Sequence, residues 1–402
     1  MGDVAERQFV LGLGGTVDFE LQWDSAVLQR LATHHSVLRC ELTADAPISD
    51  ERSLVVAVLA LVDAGAGAER FVLSSEVIRA FSAHFDYAVT LGGTGVRAGL
   101  VMDSLGIPSV QHLVSIDENV RRLLPSRVSF ICSAIADSLD PHLIVQYPAG
   151  ARIRLSDGEV VSSDANRLIF ANDPPNREMR LAPELGKTLA NASVFLVSGF
   201  NTMQDHALLE QRLEELRHAM ATLPDDALVY YEDAGFYTRA FAETVRARLL
   251  SEIDVYSLNE DELQEYVGRR VDLLNSAEVS RALAEIRVII PVPVLVVHTR
   301  YWALAVGTDA ARHRTALESA VRVAATRFRL GDGCTAAQVA ETAGMPRHVD
   351  GAHVVDAVEA AMADAVGVPA FDLAVDNPTT IGLGDTFVGG FLAGHVSKEG
   401  II

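Results

Sequence analysis

Two glycines and an aspartate near the end of the chain stand where a helix begins, an arrangement that can bind an anion and move a proton. Residues 377–390 read Asn-Pro-Thr-Thr-Ile-Gly-Leu-Gly-Asp-Thr-Phe-Val-Gly-Gly, and the opening Asn-Pro pair disfavours a helix before it. Gly382 and Gly384 permit a tight turn close to a ligand, and the following helix offers unpaired N–H groups. We therefore predict an anion site, with Asp385 placed to take a proton from an attacking hydroxyl. The alternative is that Asp385 is only a helix N-cap.

Acidic residues also stand where two other strands are expected to end. Glu232 follows one apolar run and Glu262 follows another, with Asn259 one helical turn before Glu262. Phosphoryl transfer requires Mg²⁺, which a few carboxylates hold, usually through water. Glu232, Glu262 and Asp385 together fit this task, although each alone could be a cap or a first-turn acid favoured by the helix dipole.

A further set of candidates lies near the start of the chain. Asp18 follows the first expected strand, at the edge where open α/β sheets bind ligands, and could hold a substrate hydroxyl or simply cap a turn. Gly92 and Gly93 precede a helix of small residues, which fits close ligand approach or close helix packing equally well. Arg97, one turn into that helix, could reach an anion or be a surface charge.

One more pair follows a buried strand late in the chain. His298 and Thr299 could contact a nucleotide, although a single His in this position is also common as a structural group. The sequence has no Walker A lysine motif, protein-kinase catalytic loop, Gly-x-Ser-x-Gly nucleophile elbow or metalloprotease helix.

Composition limits the class of protein. The 402 residues are 49% hydrophobic with a mean hydropathy of +0.21, enough to bury a large core. A net charge of −21 argues against a nucleic-acid partner, because polyanions are bound by clustered Lys and Arg. Three scattered cysteines indicate a reducing cytoplasm, and we see neither a signal peptide nor a membrane span.

Alternating strands and helices would position these residues. Strands are expected at 8–13, 109–115, 194–197, 227–231, 255–258 and 292–297, with a hairpin partner at 302–306. This pattern predicts an α/β fold with a mostly parallel sheet and helices on both faces. We also expect a strand at 37–42 and helices at 354–365 and after Asp385, and mostly loop with one short helix at 329–349.

Residues 142–172 have a different pattern of expected secondary structure, with several strands in succession and no helices between them. Ser156-Asp157-Gly158 between apolar residues predicts a hairpin. Consecutive strands do not fit a βαβ core, so we predict a small β-rich lid at 109–189. Residues 1–108 and 190–402 would then form a large α/β nucleotide-binding domain, with parts of 16–50 as candidates for the lid.

Several short motifs occur in order along the chain from about residue 10 to 395. Gly382-Leu383-Gly384-Asp385 after Asn377-Pro378 is similar to the anion-hole motif of the ribokinase superfamily. The others are Gly92-Gly93-x-Gly95 with Ala98, His142 to Tyr147 with Pro148, Asn166-Arg167-Leu168-Ile169, Ser198-Gly199, Asn259 to Glu262, and His298-Thr299. Together they resemble the ADP-dependent glucokinase and phosphofructokinase family within that superfamily.

The resemblance implies a ribokinase-like fold and transfer of the β-phosphoryl of ADP to a hydroxyl of a sugar or sugar phosphate, giving AMP. Asp385 would be the base, and N–H groups from Gly382 to Asp385 would hold the phosphoryl. Glu262 would position Mg²⁺ through water, with support from Glu232. The remaining implied contacts are Asp18, Thr16, Gly92 and Gly93 at the sugar, and Asn259, His298, Thr299 and Arg167 at the nucleotide.

The chain also departs from the pattern of that family. Thr16 replaces an Asn two residues before the sugar-binding Asp, Tyr230 replaces the His of a His-x-Glu motif, and Gln146 replaces a Glu of the lid strand. The sugar and the oligomeric state are therefore left open. The alternatives are an ATP-dependent carbohydrate kinase of the same superfamily and a non-catalytic sugar or nucleotide sensor.

Overall fold

A computed structural model of the chain describes residues 8–375, 379 and 381–396. Asn377 and Pro378 therefore lie outside the described residues. The strands are β1 (Gln8–Leu11), β2 (Thr16–Leu21), β3 (Ala68–Phe71), β4 (Tyr87–Gly92), β5 (Ser109–Leu113), β6 (Val128–Cys132), β7 (His142–Tyr147), β8 (Arg152–Leu155), β9 (Gly158–Val161), β10 (Asn166–Ala171), β11 (Ala192–Val197), β12 (Leu228–Glu232), β13 (Val255–Asn259), β14 (Val294–His298), β15 (Trp302–Gly307) and β16 (Ala365–Pro369).

The α-helices connect these strands and cover the sheets. They are α1 (Ser25–His34), α2 (Glu51–Asp63), α3 (Ser75–Ser82), α4 (Thr94–Ser104), α5 (Glu118–Leu123), α6 (Pro174–Glu178), α7 (Leu185–Leu189), α8 (His206–Met220), α9 (Ala240–Leu249), α10 (Glu260–Val267), α11 (Ser276–Ile289), α12 (Arg314–Leu330), α13 (Ala336–Ala343), α14 (Val349–Ala361) and α15 (Leu383–Val396). Within the described ranges, no helix is long and apolar enough to cross a membrane.

The large sheet has nine strands in the order β16-β15-β14-β13-β12-β11-β1-β5-β6. Its pairs are parallel except for β14 with β15 and β15 with β16. Apolar side chains of α4, α12 and α15 cover one face, and those of α8 to α11 and α14 cover the other. The predicted α/β fold with a mostly parallel, doubly covered sheet is confirmed.

A smaller sheet has five strands in the order β3-β10-β7-β2-β4, and α1, α2 and α3 pack on it. The strands of this sheet are not those of the lid predicted at 109–189. β5 and β6 from that segment belong to the large sheet, while β2, β3 and β4 of the small sheet come from before residue 109. The cause is long-range pairing: β2 pairs with β4 and also with β7, more than a hundred residues away. Order along the chain alone does not specify such partners.

Local predictions had mixed outcomes. The Ser156-Asp157-Gly158 hairpin is confirmed by β8 and β9, and the short helix in 329–349 by α13. The strand expected at 37–42 is wrong, since Arg39–Glu41 forms a 3-10 helix. The helix expected at 354–365 instead ends at Ala361, and Ala365 begins the edge strand β16.

Candidate active site

The glycine–aspartate turn lies at the N-terminus of α15. Gly382 has φ +64°, which favours glycine, and α15 begins at Leu383. The N–H of Thr386 donates to the carbonyl of Gly382 at 2.9 Å, so Gly382 is the residue that opens the helix. Asp385 therefore lies inside the first turn rather than at the N-cap, with its side chain 24% exposed.

Asp18 lies on β2 and is held from two sides. Its Oδ1 accepts from the hydroxyl of Thr16 at 2.6 Å, and its Oδ2 accepts from Nη2 of Arg97 at 2.9 Å. Gly92 on the paired strand β4 lies beneath this group: a Cβ there would be 2.2 Å from the Thr16 hydroxyl and 2.4 Å from the Asp18 carboxylate. Glycine is therefore required at position 92 to make room for the carboxylate.

Arg97 is buried in the first turn of α4 and joins the two parts of the site. Besides Asp18, its Nη2 lies 3.5 Å from Oε1 of Glu20, and its Nε lies 3.8 Å from Oδ2 of Asp385. Arg97 is 5% exposed, so the interpretation as a surface charge is wrong. Burial disfavours the charged form, but Asp18, Asp385 and Glu20 outweigh it and raise the pKa of Arg97 above its ordinary value.

A cavity of about 250 Å³ opens between the small sheet and the large sheet. We call it the acceptor cavity, and its lining includes Thr16, Asp18, Gly93, Arg97, Arg167, Gly382 and Asp385. Gly93 has φ +89°, and a Cβ on it would lie 2.9 Å from the Cα of Gly15. The structure thus brings together the residues predicted for the sugar with the predicted base.

The acceptor cavity also contains residues that sequence reasoning missed. Glu69, Asn201 and Tyr237 line it. Glu69 lies on β3, a strand of only four residues. Its sequence has no alternating pattern from which the strand could have been predicted. Asn201 lies two residues after Gly199, and only the Ser198-Gly199 pair was part of a motif in the sequence.

Two carboxylates and an imidazole stand at the ends of β12, β13 and β14. Nε2 of His298 lies 3.0 Å from Oε1 of Glu232, and both residues are buried. Glu262 accepts from the N–H of Asn259 at 2.7 Å, and the Asn259 side chain accepts from the N–H of Glu262 at 3.1 Å, which forms a capping box at the start of α10. Adjacent parallel strands thus bring the three groups to one edge of the sheet.

This carboxylate pair has the chemistry of a cation site. Burial raises the pKa of Glu262 to about 8, with Asp233 and Glu232 adding to the effect, while Oε2 of Glu232 is buried with no partner within the described part of the chain. The disfavoured charge of Glu262 and the unpartnered oxygen of Glu232 beside it fit a bound Mg²⁺. Among the described residues, no group of three or more His, Cys, Asp or Glu could hold a metal directly. Water would have to supply the remaining ligands.

Two further cavities adjoin Gly384. One of about 460 Å³ contains Glu232, Glu262 and Asp385, so the predicted metal carboxylates and the predicted base share one space. The other, of about 500 Å³, has mostly apolar walls that include Phe328, Phe371 and Phe387. Its volume and mostly apolar lining can accommodate an aromatic base.

Three of the residues predicted to contact a nucleotide, Asn259, His298 and Thr299, line this apolar cavity. The ring of His298 stacks on Phe387 with 4.4 Å between centroids, and the charge of Glu232 raises the pKa of His298 against the lowering effect of burial. The hydroxyl of Thr299 donates to the carbonyl of Trp302 at 2.9 Å and so closes the turn from β14 to β15. Arg167 lies elsewhere, in the acceptor cavity rather than beside the apolar one.

Comparison with known proteins adds an independent result. Residues 7–391 match the family model described as ADP-specific Phosphofructokinase/Glucokinase conserved region. The fold is similar to that of a hypothetical ADP-dependent phosphofructokinase from Pyrococcus horikoshii OT3, with 17% identity, a TM-score of 0.79, and coverage of 97% of this chain and 98% of that chain. None of the curated proteins matches the sequence.

Other solved structures agree on the fold. The last common ancestor of ADP-dependent phosphofructokinases from Methanosarcinales has a TM-score of 0.74 at 14% identity, with 98% of this chain and 95% of that chain covered. An ADP-dependent kinase in complex with fructose-6-phosphate and ADPbetaS has a TM-score of 0.73 at 13% identity, with 97% and 94% covered.

Proposed function

Because the chain belongs to the ADP-specific phosphofructokinase and glucokinase family and is therefore an ADP-dependent sugar kinase, we propose that Asp385 is its general base. The observation that carries this proposal is the position of Asp385, which lines both the acceptor cavity and the cavity of Glu232 and Glu262. A base for phosphoryl transfer must reach the acceptor hydroxyl while the phosphoryl group arrives from the other side. Asp385 stands at that junction.

In the proposed reaction, Asp385 takes the proton of an acceptor hydroxyl of a sugar or sugar phosphate. The acceptor oxygen forms a bond to the β-phosphorus of ADP, and the bond from that phosphorus to the bridging oxygen breaks. The electron pair leaves with AMP. N–H groups of the turn from Gly382 to Asp385 hold the phosphoryl oxygens, since the helix N-terminus favours negative charge.

The nucleotide is proposed to occupy the apolar cavity. Its base would lie between the aromatic walls near His298 and Thr299, with the phosphates directed toward Gly384, which lines this cavity and the carboxylate cavity alike. Asn259 lies where these two cavities meet. This arrangement would bring the β-phosphoryl group to the glycine–aspartate turn.

Glu262 and Glu232 are proposed to hold Mg²⁺, through water, beside the nucleotide phosphates. When bound, the ion would neutralise charge on the phosphate oxygens. The chain's own contribution is to orient the carboxylates: the Asn259 N–H fixes Glu262, and His298 fixes Glu232.

The acceptor is proposed to bind between the two sheets. Asp18 would accept a hydrogen bond from an acceptor hydroxyl, and its contacts with Thr16 and Arg97 preset its orientation. The small sheet with α1 to α3 would act as the lid and exclude water, which would otherwise compete as the phosphoryl acceptor.

A coupled assay of nucleotide specificity tests this function. The purified protein is supplied with Mg²⁺ and either ADP or ATP, with D-glucose or fructose 6-phosphate as the acceptor. We expect turnover with ADP and formation of AMP. Turnover with ATP alone would sink the proposal in favour of an ATP-dependent kinase, and tight binding without turnover by any pair would favour a sensor.

A further inference from the structure

One buried arginine, Arg97, orients Asp18 but also faces the proposed base. Arg97 lies between Asp18 and Asp385, the proposed acceptor ligand and the proposed base. A buried guanidinium costs free energy unless paired groups compensate for its lost hydration. We propose that Arg97 is a further catalytic residue whose guanidinium binds the transferring phosphoryl group from the acceptor side. This inference rests on the proposed function of the site.

The contacts of Arg97 leave one edge of its guanidinium available. Nη2 donates to Asp18, and Nε faces Asp385. Nη1 has no hydrogen-bond partner among the described residues. It lies against the turn, since a Cβ on Gly382 would be 2.9 Å from it. The N–H groups of Nη1 are therefore beside the place where the turn would hold the phosphoryl oxygens.

Neighbouring carboxylates stabilise the charged form of Arg97. Its pKa is raised above the ordinary value because Asp18, Asp385 and Glu20 outweigh the effect of burial. A planar, permanently charged fork is well suited to the oxygens of a phosphoryl group. In a loose transition state, the negative charge is spread over these equatorial oxygens.

The interaction strengthens as the reaction proceeds. When Asp385 takes the acceptor proton, it loses its negative charge, and Arg97 loses one of its counter-charges. At the same moment the phosphoryl group moves toward the acceptor oxygen and toward Arg97. Arg97 donates hydrogen bonds and keeps its own protons throughout. An interaction that is stronger in the transition state than in the ground state raises kcat.

A purely structural role makes a different prediction. If Arg97 only ties β2 to α4, its loss would lower stability and leave kcat of the remaining folded enzyme unchanged. If it binds the transferring group, kcat falls while the KM for ADP changes little, because the nucleotide occupies the other cavities.

The test uses Arg97→Ala and Arg97→Lys in the full chain with ADP and with glucose or fructose 6-phosphate. We expect Arg97→Ala to lower kcat by about a thousandfold and guanidinium chloride, below denaturing concentrations, to restore part of the rate. Arg97→Lys keeps a charge but not the fork, and we expect kcat about tenfold to a hundredfold lower with the KM for ADP unchanged.

Arg212→Ala is the matched control. Arg212 lies on α8 with its side chain 12% exposed, pairs with Glu215, and borders none of the three cavities described above. We expect it to lower the melting temperature and to leave kcat unchanged. A kcat for folded Arg97→Lys within threefold of wild type would overturn the role of Arg97, as would a loss of Arg97→Ala activity that guanidinium does not restore. Absence of turnover by the wild type would instead overturn the proposed function itself.

Discussion

Hydrogen bonds within the protein fix the orientation of Asp18, the proposed ligand of the acceptor. Each of its two carboxylate oxygens accepts one hydrogen bond from the protein, from Thr16 and from Arg97. Each oxygen keeps a further lone pair that could accept from an acceptor hydroxyl. Because the carboxylate is already fixed, binding an acceptor costs little additional ordering of this side chain.

Arg167 is a further cation in the acceptor cavity, and it has no ion-pair partner within the described residues. We predict that Arg167→Ala raises the KM for fructose 6-phosphate at least tenfold, because a charge-assisted contact to phosphate is lost, and leaves the KM for ADP unchanged. Steady-state kinetics with each substrate varied in turn provide the measurement. A rise confined to the KM for ADP would return Arg167 to the nucleotide phosphates, where the resemblance placed it.

Residue identities were easier to predict than residue environments. Gly92, Gly382, Asp385 and the acids Glu232 and Glu262 were singled out as candidates from their residue types and spacing. The burial of Arg97 was not, because a charged residue one turn into a helix is usually exposed. Its burial depends on Asp18 and Glu20, which arrive from a strand nearly eighty positions earlier.

Helix α15 is held close to its neighbours by glycines. A Cβ on Gly390 would be 2.8 Å from the Cα of Ala320 on α12, and one on Gly389 would be 2.8 Å from the carbonyl of Ala98 on α4. This close packing fixes the position and direction of the N-terminus of α15. The proposed anion site at Gly382 to Asp385 therefore depends on contacts made further along the same helix.

We predict that Gly390→Ala destabilises the fold by about 1–3 kcal/mol, because the added methyl meets backbone rather than a movable side chain. Gly344→Ala is the matched control, since the nearest atom to a Cβ at that position is 3.5 Å away. Urea unfolding of both variants provides the comparison. Equal stability of Gly390→Ala and wild type would show that α15 is not held by this contact.

The elements themselves were partly predictable. Long apolar runs followed by helices gave the central parallel strands correctly. The small sheet could not be assembled, because β3 has only four residues and β2 pairs with both β4 and β7. The edge strand β16 was not predicted: the helix expected at 354–365 ended at the first residue of this strand, and its short apolar sequence fits either structure.

The whole molecule carries a net charge of −21, yet ADP and a sugar phosphate acceptor are anions. Attraction must therefore be local. Arg97 and Arg167 line the acceptor cavity, and the N-terminus of α15 faces it through Gly382. The net charge gives only the balance over the whole chain, and the folded arrangement shows which residues place positive charge in this cavity.

We predict that acid destabilises the fold through His112, a buried imidazole that is not part of the Glu232 and Glu262 site. Burial lowers the pKa of His112 on β5 to about 4, below the ordinary 6.5. Between these values the unfolded chain binds a proton that the folded chain does not, so stability falls as the pH drops from 6.5 toward 4. We predict that this one group contributes a loss of roughly 2 kcal/mol at pH 5.

Urea unfolding at pH 7 and pH 5 measures this loss. The decrease should be smaller in His112→Gln than in wild type by that amount. His218→Gln, which changes a side chain that is 75% exposed on α8, should behave as wild type does. An identical decrease in all three proteins would show that His112 does not contribute.

The most direct test of Asp385 as the general base compares AMP formation from ADP by wild type and by Asp385→Asn at saturating acceptor. We predict that the variant binds ADP as wild type does, by calorimetry, and that its turnover falls on the order of a thousandfold, since both the base and its charge are lost. Turnover within a few-fold of wild type would contradict the assignment of Asp385 as the base.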